Sequence, residues 1–237
     1  MDKLLRIELR NHEVKIATFG FIQLDPASST SARKFWFHKL IFDSDIKYEY
    51  SDKIDLVVFH DSKFGWQQLY LKKLYVLDTD AKGGREWVLC LLNDFDEVEY
   101  KQGIIEVFNS WQEGKKIDWW SFDDNSERKD DYLNACLLYS SVNGQILDKK
   151  EYKVDFEFVK NEKDFLFVVA EEFYGSRGYF GWSIYTFEDC LREIKKVHKE
   201  NNSLVVFQNV NKTLSDLSLV HEVRVIFERY GFKVSIL

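Results

Sequence analysis

The sequence predicts two domains of different class. The C-terminal domain is α/β, with helices around a small, mainly parallel three-stranded sheet, and the N-terminal domain is mainly antiparallel β or α+β. Strand-like runs follow one another closely in the first part, whereas strands alternate with helical patterns in the last part. A length of 237 residues also suits two ordinary domains, since one domain holds roughly 100 to 200 residues. We therefore predict a sheet-rich domain of unknown role at residues 1–145 and an α/β domain at residues 146–237.

The composition is that of a globular protein. Hydrophobic residues make up 45% of the chain and aromatic residues 16%, and the formal charge of −7 is far from that of a disordered acidic chain. The sequence has no apolar run of about 18 residues to span a bilayer, and its N-terminus soon returns to charged residues, unlike a signal peptide. We expect a cytoplasmic protein that binds neither membranes nor, given its acidic balance, nucleic acid directly.

In the first domain, apolar runs predict an antiparallel sheet. The predicted strands are Leu4–Leu9, Lys15–Gln23, Lys34–Phe42, Ile54–Phe59, Gln68–Leu77 and Glu86–Leu92. The pair Gly83-Gly84 predicts a hairpin turn between the last two strands. Residues Glu99–Gln112 carry apolar side chains at helical spacing, and Gly114 stands just beyond as a predicted cap.

The segment between the two patterns is ambiguous. Asp123–Asp131 is polar without periodicity and predicts an exposed loop, while Tyr132–Ser141 is apolar and fits either a short helix or a strand. Val142–Gln145 has the composition of a turn, and we place the domain boundary there.

The last part alternates strands and helices around an aromatic loop. The predicted elements are strand Tyr152–Val159, helix Glu162–Phe173, loop Tyr174–Trp182, helix Ile184–Glu200, strand Leu204–Gln208, helix Leu214–Tyr230 and strand Phe232–Leu237. Crossover helices between three strands favour a parallel sheet, and Gly231 is placed to end the third helix.

The helix after the aromatic loop has a candidate binding face. Its apolar side, predicted to face the core, consists of Ile184, Phe187, Leu191 and Ile194, and its other side consists of Tyr185, Glu188, Asp189, Arg192 and Glu193. Acids beside aromatic residues suit a basic partner better than a small apolar ligand. An ordinary solvated helix face with local ion pairs is the alternative, in which Tyr179 or Trp182 simply fills the core.

Residues 151–237 resemble the barstar family of intracellular ribonuclease inhibitors in motif and element order. The matching parts are Tyr179-Phe180-Gly181, Asp189-Cys190-Leu191, Leu204-Val205-Val206-Phe207, the helix end at Tyr230-Gly231, and Val234-Ser235-Ile236-Leu237. The resemblance does not extend to residues 1–145. It implies a barstar-like fold and contact with a nuclease through Tyr179 and Asp189. Ser183, Tyr185 and Glu188 depart from the family pattern, and these departures imply a different partner.

The resemblance implies an immunity protein of a toxin–antitoxin pair, whose acidic helix and aromatic loop cover the basic active site of a cognate nuclease toxin. The surface predicted to bind this partner comprises Tyr179, Trp182, Tyr185, Glu188, Asp189 and Glu193. Carboxylates on a rigid helix can stand where the phosphate of RNA would lie. The alternatives are a non-inhibitory interaction or regulatory protein on the same scaffold, and a hydrolase activity in the N-terminal domain.

The sequence shows none of the common enzyme motifs, and we predict no catalytic residue and no cofactor. Its five histidines lack ligand spacing, and the acids between Asp94 and Glu99 lack the turn glycine of a calcium loop. The cysteines Cys90, Cys136 and Cys190 are isolated among apolar residues and are predicted to be core residues, so no metal site is expected.

Overall fold

The computed structural model describes residues 102–124, 126–142, 145–198, 203–210 and 217–237, together with eight strands of the preceding segment. The chain forms two compact units, Met1–Ile117 and Asp118–Leu237. This division comes earlier than the predicted boundary at residue 145. The physical reason is that residues 118–140 pack onto the helices that follow them, as shown below.

In the first unit, the described strands pair into one antiparallel sheet in the order β3-β4-β8-β7-β6-β1-β2-β5. They are β1 (Leu5–Asn11), β2 (Val14–Phe19), β3 (Phe21–Leu24), β4 (Ala32–His38), β5 (Ile41–Phe42), β6 (Lys53–Ser62), β7 (Gly65–Lys82) and β8 (Arg85–Leu92). Strands β7 and β8 end their pairing with Lys82 opposite Arg85. The predicted turn residues Gly83 and Gly84, and the acids from Asp94 to Glu99, lie outside the described residues.

Helix α1 (Gln102–Gln112) completes the first unit and confirms the helix predicted at this place. Its apolar residues from Ile104 to Trp111 are buried on one face, which is why the segment is helical. Gly114 follows with a φ of +72°, and its N–H donates to the carbonyl of Trp111 over 3.1 Å. Glycine adopts this left-handed conformation without strain, so it ends the helix as predicted.

The second unit contains a three-stranded parallel sheet, which confirms the α/β prediction. Its elements are helix α2 (Glu127–Ser140), strand β9 (Glu151–Asp155), helices α3 (Glu162–Tyr174) and α4 (Ile184–Val197), strand β10 (Leu204–Gln208), helix α5 (Leu217–Arg229) and strand β11 (Lys233–Ile236). The strand order is β11-β10-β9, with Val205 of the central strand opposite Tyr152 and Val234. The central strand is buried along Val205–Phe207, as expected when both faces of a parallel sheet are covered.

The core of this unit is mostly aromatic and centres on Phe173 of α3. Its ring stacks on Tyr152 with centroids 4.0 Å apart and on Phe227 with centroids 5.7 Å apart, and it meets Phe180 and Phe232 edge to face at 5.2 and 5.6 Å. These partners come from β9, the aromatic loop, α5 and the turn before β11. Burial of one such ring contributes about 1.5 to 3 kcal/mol, so Phe180 attaches the aromatic loop to this core.

Helix α2 shows that the predicted exposed loop at residues 123–131 is wrong in its second half. Glu127 and Asp130 lie in the first turn of α2, where negative charge is favourable. Lys129, although flanked by polar residues, is buried, and its ammonium lies 2.8 Å from the carboxylate of Asp164 on α3. This long-range ion pair has no signature in the local sequence.

Asp164 joins three segments of the second unit. Its Oδ1 atom accepts from the ammonium of Lys129 and from Nε1–H of Trp119, each over 2.8 Å, and its Oδ2 atom accepts from the N–H of Lys160. Trp119 stacks on Phe167 of α3, with centroids 4.6 Å apart and planes 2° from parallel. Residues 118–140 are thereby fixed to α3 by a satisfied polar network and by ring contacts.

The outer edge of β9 is occupied by a side chain. Glu172 of α3 accepts a hydrogen bond from the N–H of Lys153 over 2.9 Å and pairs with the ammonium of Lys149, also over 2.9 Å. This N–H would otherwise be open to another strand. Among the described residues, no helix is long and apolar enough to cross a bilayer.

Candidate functional site

The candidate site begins where the aromatic loop enters α4. Ser183 is the N-cap residue, and its hydroxyl accepts from the N–H of Thr186 over 3.3 Å. In return, the hydroxyl of Thr186 accepts from the N–H groups of Ser183 and Trp182, each over 2.9 Å. This reciprocal capping box fixes the entry of the chain into α4. Trp182 and Tyr185, on either side of the cap, therefore have defined backbone positions.

A carboxylate from α3 supplies a further bond at the start of α4. Glu162 Oε1 accepts from the N–H of Ile184. A helix N-terminus attracts negative charge because its first N–H groups have no partner within the helix. Here Glu162 and Ser183 accept from the N–H groups of Ile184 and Thr186, so the chain itself supplies acceptors at the start of α4.

Gly181 permits the sharp approach of the loop to the helix. Its φ is +103°, and a Cβ atom at this position would lie 2.6 Å from Oγ1 of Thr186 and 2.7 Å from the backbone nitrogen of Phe187. A side chain would thus collide with the cap and with rigid backbone. The glycine of the Tyr-Phe-Gly motif is therefore required by the geometry of the capping box.

Two aromatic residues predicted at the site are exposed. Trp182 is 51% exposed and Tyr185 is 84% exposed. Both are anchored on backbone that the cap holds in place, so little backbone freedom remains to be lost on binding. Large, rigid aromatic side chains of this kind are enriched at interface hot spots.

Tyr179, by contrast, is only 3% exposed. Burial is also the main reason that the pKa of its hydroxyl lies above the ordinary value, with a smaller contribution from Cys190. In this conformation the ring of Tyr179 supports the loop from within and offers a partner little surface. The contact that the family resemblance implies for it stays a prediction.

Glu188 connects α4 to the end of α5. Its Oε1 atom accepts from Nη1 of Arg229 over 2.8 Å and from the hydroxyl of Tyr230 over 3.0 Å. The hydrogen bond from Arg229 is the largest cause that lowers the pKa of the Glu188 carboxyl, and the bond from Tyr230 adds to it. The Glu188 carboxylate thus already accepts hydrogen bonds from two donors of the same chain.

The other two acids of the face have partners one turn further along α4. Asp189 lies 2.7 Å from Nη1 of Arg192, and Glu193 lies 2.5 Å from the ammonium of Lys196. Together with Glu188 and Arg229, three carboxylates thus face three cations. Exposed ion pairs on a helix surface contribute little to stability, so a partner can displace the pairs of Asp189 and Glu193 at small cost.

The core face of α4 agrees with the prediction at Phe187, Leu191 and Ile194, all of which are buried. Cys190 is also buried with a free thiol, as is Cys136 on α2, which confirms the core role predicted for these two cysteines. Burial raises the pKa of Cys190 to about 12. No cluster of three or more potential metal ligands occurs within the part of the chain that the structure describes.

The sequence reasoning missed the residues that hold the site in place. Arg229 and Tyr230 lie some forty positions beyond Glu188, and nothing in the pattern of α5 marks them as its partners. The cap at Ser183 could have been predicted from the sequence, but the third residue of the helix is Thr186, whereas the common capping box has Glu or Gln at that position. Glu162 reaches α4 only through the tertiary fold.

Comparison with known proteins adds no family to this geometry. Neither the protein-family models nor the characterised proteins give a significant match to this chain. The second unit is thus defined by its architecture as an α/β domain with a capped helix and an exposed pair of aromatic residues.

Proposed function

We propose that this chain is an immunity protein that inhibits a nuclease toxin, most simply a ribonuclease, in the cytoplasm. In this proposal the barstar-like second unit covers the basic active site of the toxin and performs no catalysis. The observation that carries the proposal is the exposure of Trp182 and Tyr185 beside Asp189 on a helix whose start is rigidly capped.

The fold supports this proposal through its element order. Strand, helix, aromatic loop, helix, strand, helix and strand follow one another in the second unit, with all three strands parallel. This is the order that the barstar resemblance requires. Fold alone does not define a function, so the weight rests on the exposed side chains of the loop and α4.

The charges suggest how the proposed inhibitor would work. The carboxylate of Asp189 holds its Arg192 partner through Oδ1, and the side chain is well exposed, so a guanidinium or ammonium of the toxin can replace this partner. Glu188 is less suited to exchange, because releasing Arg229 would also loosen the contact between α4 and α5. We therefore assign Asp189 the central electrostatic role and the exposed aromatic residues the apolar contacts.

The test is inhibition of RNA cleavage by a candidate toxin that co-purifies with the full chain. Replacing Asp189 with Ala is expected to weaken binding well over tenfold, since truncating one partner of a buried interfacial charge pair costs about 2 to 5 kcal/mol. Glu228→Ala is the matched control, because Glu228 also holds an exposed ion pair, with Arg224, but on α5. Equal dissociation constants for wild type and Asp189→Ala at the same salt concentration would exclude the helix-face model.

A second candidate function is favoured by the paired charges of the site. With three carboxylates facing three cations, the face has little net negative charge to attract a basic active site. A non-inhibitory interaction protein, which uses Trp182 and Tyr185 to bind a partner of neutral surface, fits this balance. Binding that is insensitive to salt and to Asp189→Ala, but is lost in Tyr185→Ala, would identify this function.

A further inference from the structure

A second exposed aromatic pair lies outside the site described above. Trp120, in a single 3₁₀ turn at Trp119–Ser121, and Phe158, in the turn after β9, have ring centroids 5.6 Å apart. Trp120 is 39% exposed and Phe158 is 55% exposed. We refer to these two rings as the Trp120–Phe158 pair.

Both rings are held by ordered backbone. Asp118 caps the 3₁₀ turn by accepting from the N–H of Trp120 over 3.1 Å, and the edge of Phe167 supports the Trp120 ring at a centroid distance of 5.9 Å. Phe158 stands between Phe156 and Val159, both of which are buried. The exposure of Phe158 therefore follows from the fixed course of its turn, since its neighbours are anchored in the core.

The two turns that carry these rings are strongly acidic. Residues 118–124 and 155–160 contain five carboxylates and one cation, Lys160. Lys160 pairs with Asp124 over 3.4 Å and thereby links the two turns. Among the described residues, no ion pair involves the other four exposed carboxylates, which are Asp118, Asp123, Asp155 and Glu157.

We propose that the Trp120–Phe158 pair is a docking surface for an arginine-bearing segment of a partner protein. The ring faces would receive the guanidinium plane, and the surrounding carboxylates would bind its N–H groups. Arginine is favoured over lysine because its guanidinium stacks on aromatic rings and forks onto carboxylates. An anionic lipid surface is disfavoured, since the same carboxylates would repel it.

This proposal does not depend on the nuclease-inhibitor function. The Trp120–Phe158 pair belongs to the segment before α2 and to the turn after β9, whereas the loop and α4 carry the site proposed for the toxin. Residues 118–124 also lie outside the part of the chain that resembles the barstar family. Failure of one proposal therefore leaves the other standing.

The experiment measures fluorescence polarisation of a labelled Gly/Ser peptide that contains several arginines, titrated with the full chain. Peptides of the same length with lysine or glutamate in place of arginine are compared. We expect saturable binding of the arginine peptide, weaker binding of the lysine peptide and no binding of the glutamate peptide. Phe158→Ser is expected to reduce affinity about fivefold, the effect of losing one aromatic contact with a cation.

Val197→Ser is the matched control, because Val197 is equally exposed, at 53%, but lies at the end of α4. Circular dichroism and a cooperative thermal transition establish that each variant is folded. If Phe158→Ser is not folded, Glu157→Gln is used as the test variant instead. Its affinity for the arginine peptide is expected to fall about threefold, as for a partly exposed charge contact.

Three results would overturn the proposal. One is an arginine-peptide affinity that neither Phe158→Ser nor Glu157→Gln changes, and another is an equal loss in Val197→Ser. The third comes from sedimentation with anionic phosphatidylserine vesicles: binding to the vesicles that Phe158→Ser abolishes would assign the surface to a membrane instead.

Discussion

Breaking the buried ion pair between Lys129 and Asp164 by removing one partner is expected to destabilise the second unit strongly. Replacing Lys129 with Met keeps a stem of similar length against Trp119 but removes the charge. Both side chains of the pair are at most 2% exposed, so water cannot take the place of the lost ammonium. Asp164 would keep its bonds from Nε1–H of Trp119 and from the backbone N–H of Lys160, which are both neutral donors.

The magnitude follows from this burial. Removing one member of a buried, hydrogen-bonded ion pair costs about 3 to 5 kcal/mol, because the remaining charge stays in a poorly solvated site. The population of the opened state should then rise by about two to three and a half powers of ten. Lys163→Met is the control, since Lys163 pairs with Asp130 at a partly exposed position, where the loss is at most about 1 kcal/mol.

Native-state hydrogen exchange is the suitable assay, because the chain has two units and a single unfolding transition cannot be assumed. Amides of Val205–Phe207 in the central strand report the opening of the second unit. Their exchange should accelerate strongly in Lys129→Met and little in Lys163→Met.

The double variant Lys129→Met with Asp164→Leu separates charge from packing. It removes both charges and leaves Nε1–H of Trp119 without its acceptor, a loss of about 1 to 3 kcal/mol. We expect it to be more stable than Lys129→Met alone. A loss below about 1 kcal/mol in Lys129→Met would refute the reasoning, since the pair would then behave like one at the surface.

Three further predictions concern the candidate site. Gly181→Ala is expected to destabilise the second unit by about 1 to 3 kcal/mol, read from hydrogen exchange of the Val205–Phe207 amides, because a Cβ atom meets Thr186 and the φ is positive. Arg229→Met should raise the pKa of Glu188, as measured in a carboxyl NMR titration. In wild type the folded-state pKa of Glu188 is lower than the unfolded-state value of about 4.3. The stability that the pair contributes is therefore present above that unfolded pKa and is lost as pH falls through the folded-state pKa. Cys190, with its pKa raised by burial, should resist iodoacetamide at pH 8 until the chain unfolds, as read by peptide mass spectrometry.

The helices and strands of the second unit were predictable where hydrophobic periodicity agrees with the residues that begin and end an element. Strand β10 has the predicted bounds, and α3 extends the predicted helix by one residue, because continuous apolar runs and helical spacing specify these elements locally. Strand β9 ends at Asp155, four residues before the predicted end at Val159. Phe156 continues the alternation of buried side chains and Val159 breaks it, and both belong to a turn that anchors in the core.

The partners of the charged residues were not predictable. A polar stretch that reads as a loop contains Lys129, whose position is decided by a carboxylate far along the chain. In the same way, nothing in the sequence of α4 points to Arg229, because only the packing of α5 brings it to Glu188. Local patterns determine which segments are helices, whereas long-range pairing determines which charges remain available.

The position of Glu172 at β9 has a consequence for self-association. A strand from another molecule that joined this edge would need the N–H of Lys153, and Glu172 would first have to release both that N–H and the ammonium of Lys149. The sheet is therefore protected against lengthening on the β9 side by a single carboxylate from the helix above it. At high protein concentration, the risk that one sheet pairs with the next at this edge is therefore reduced.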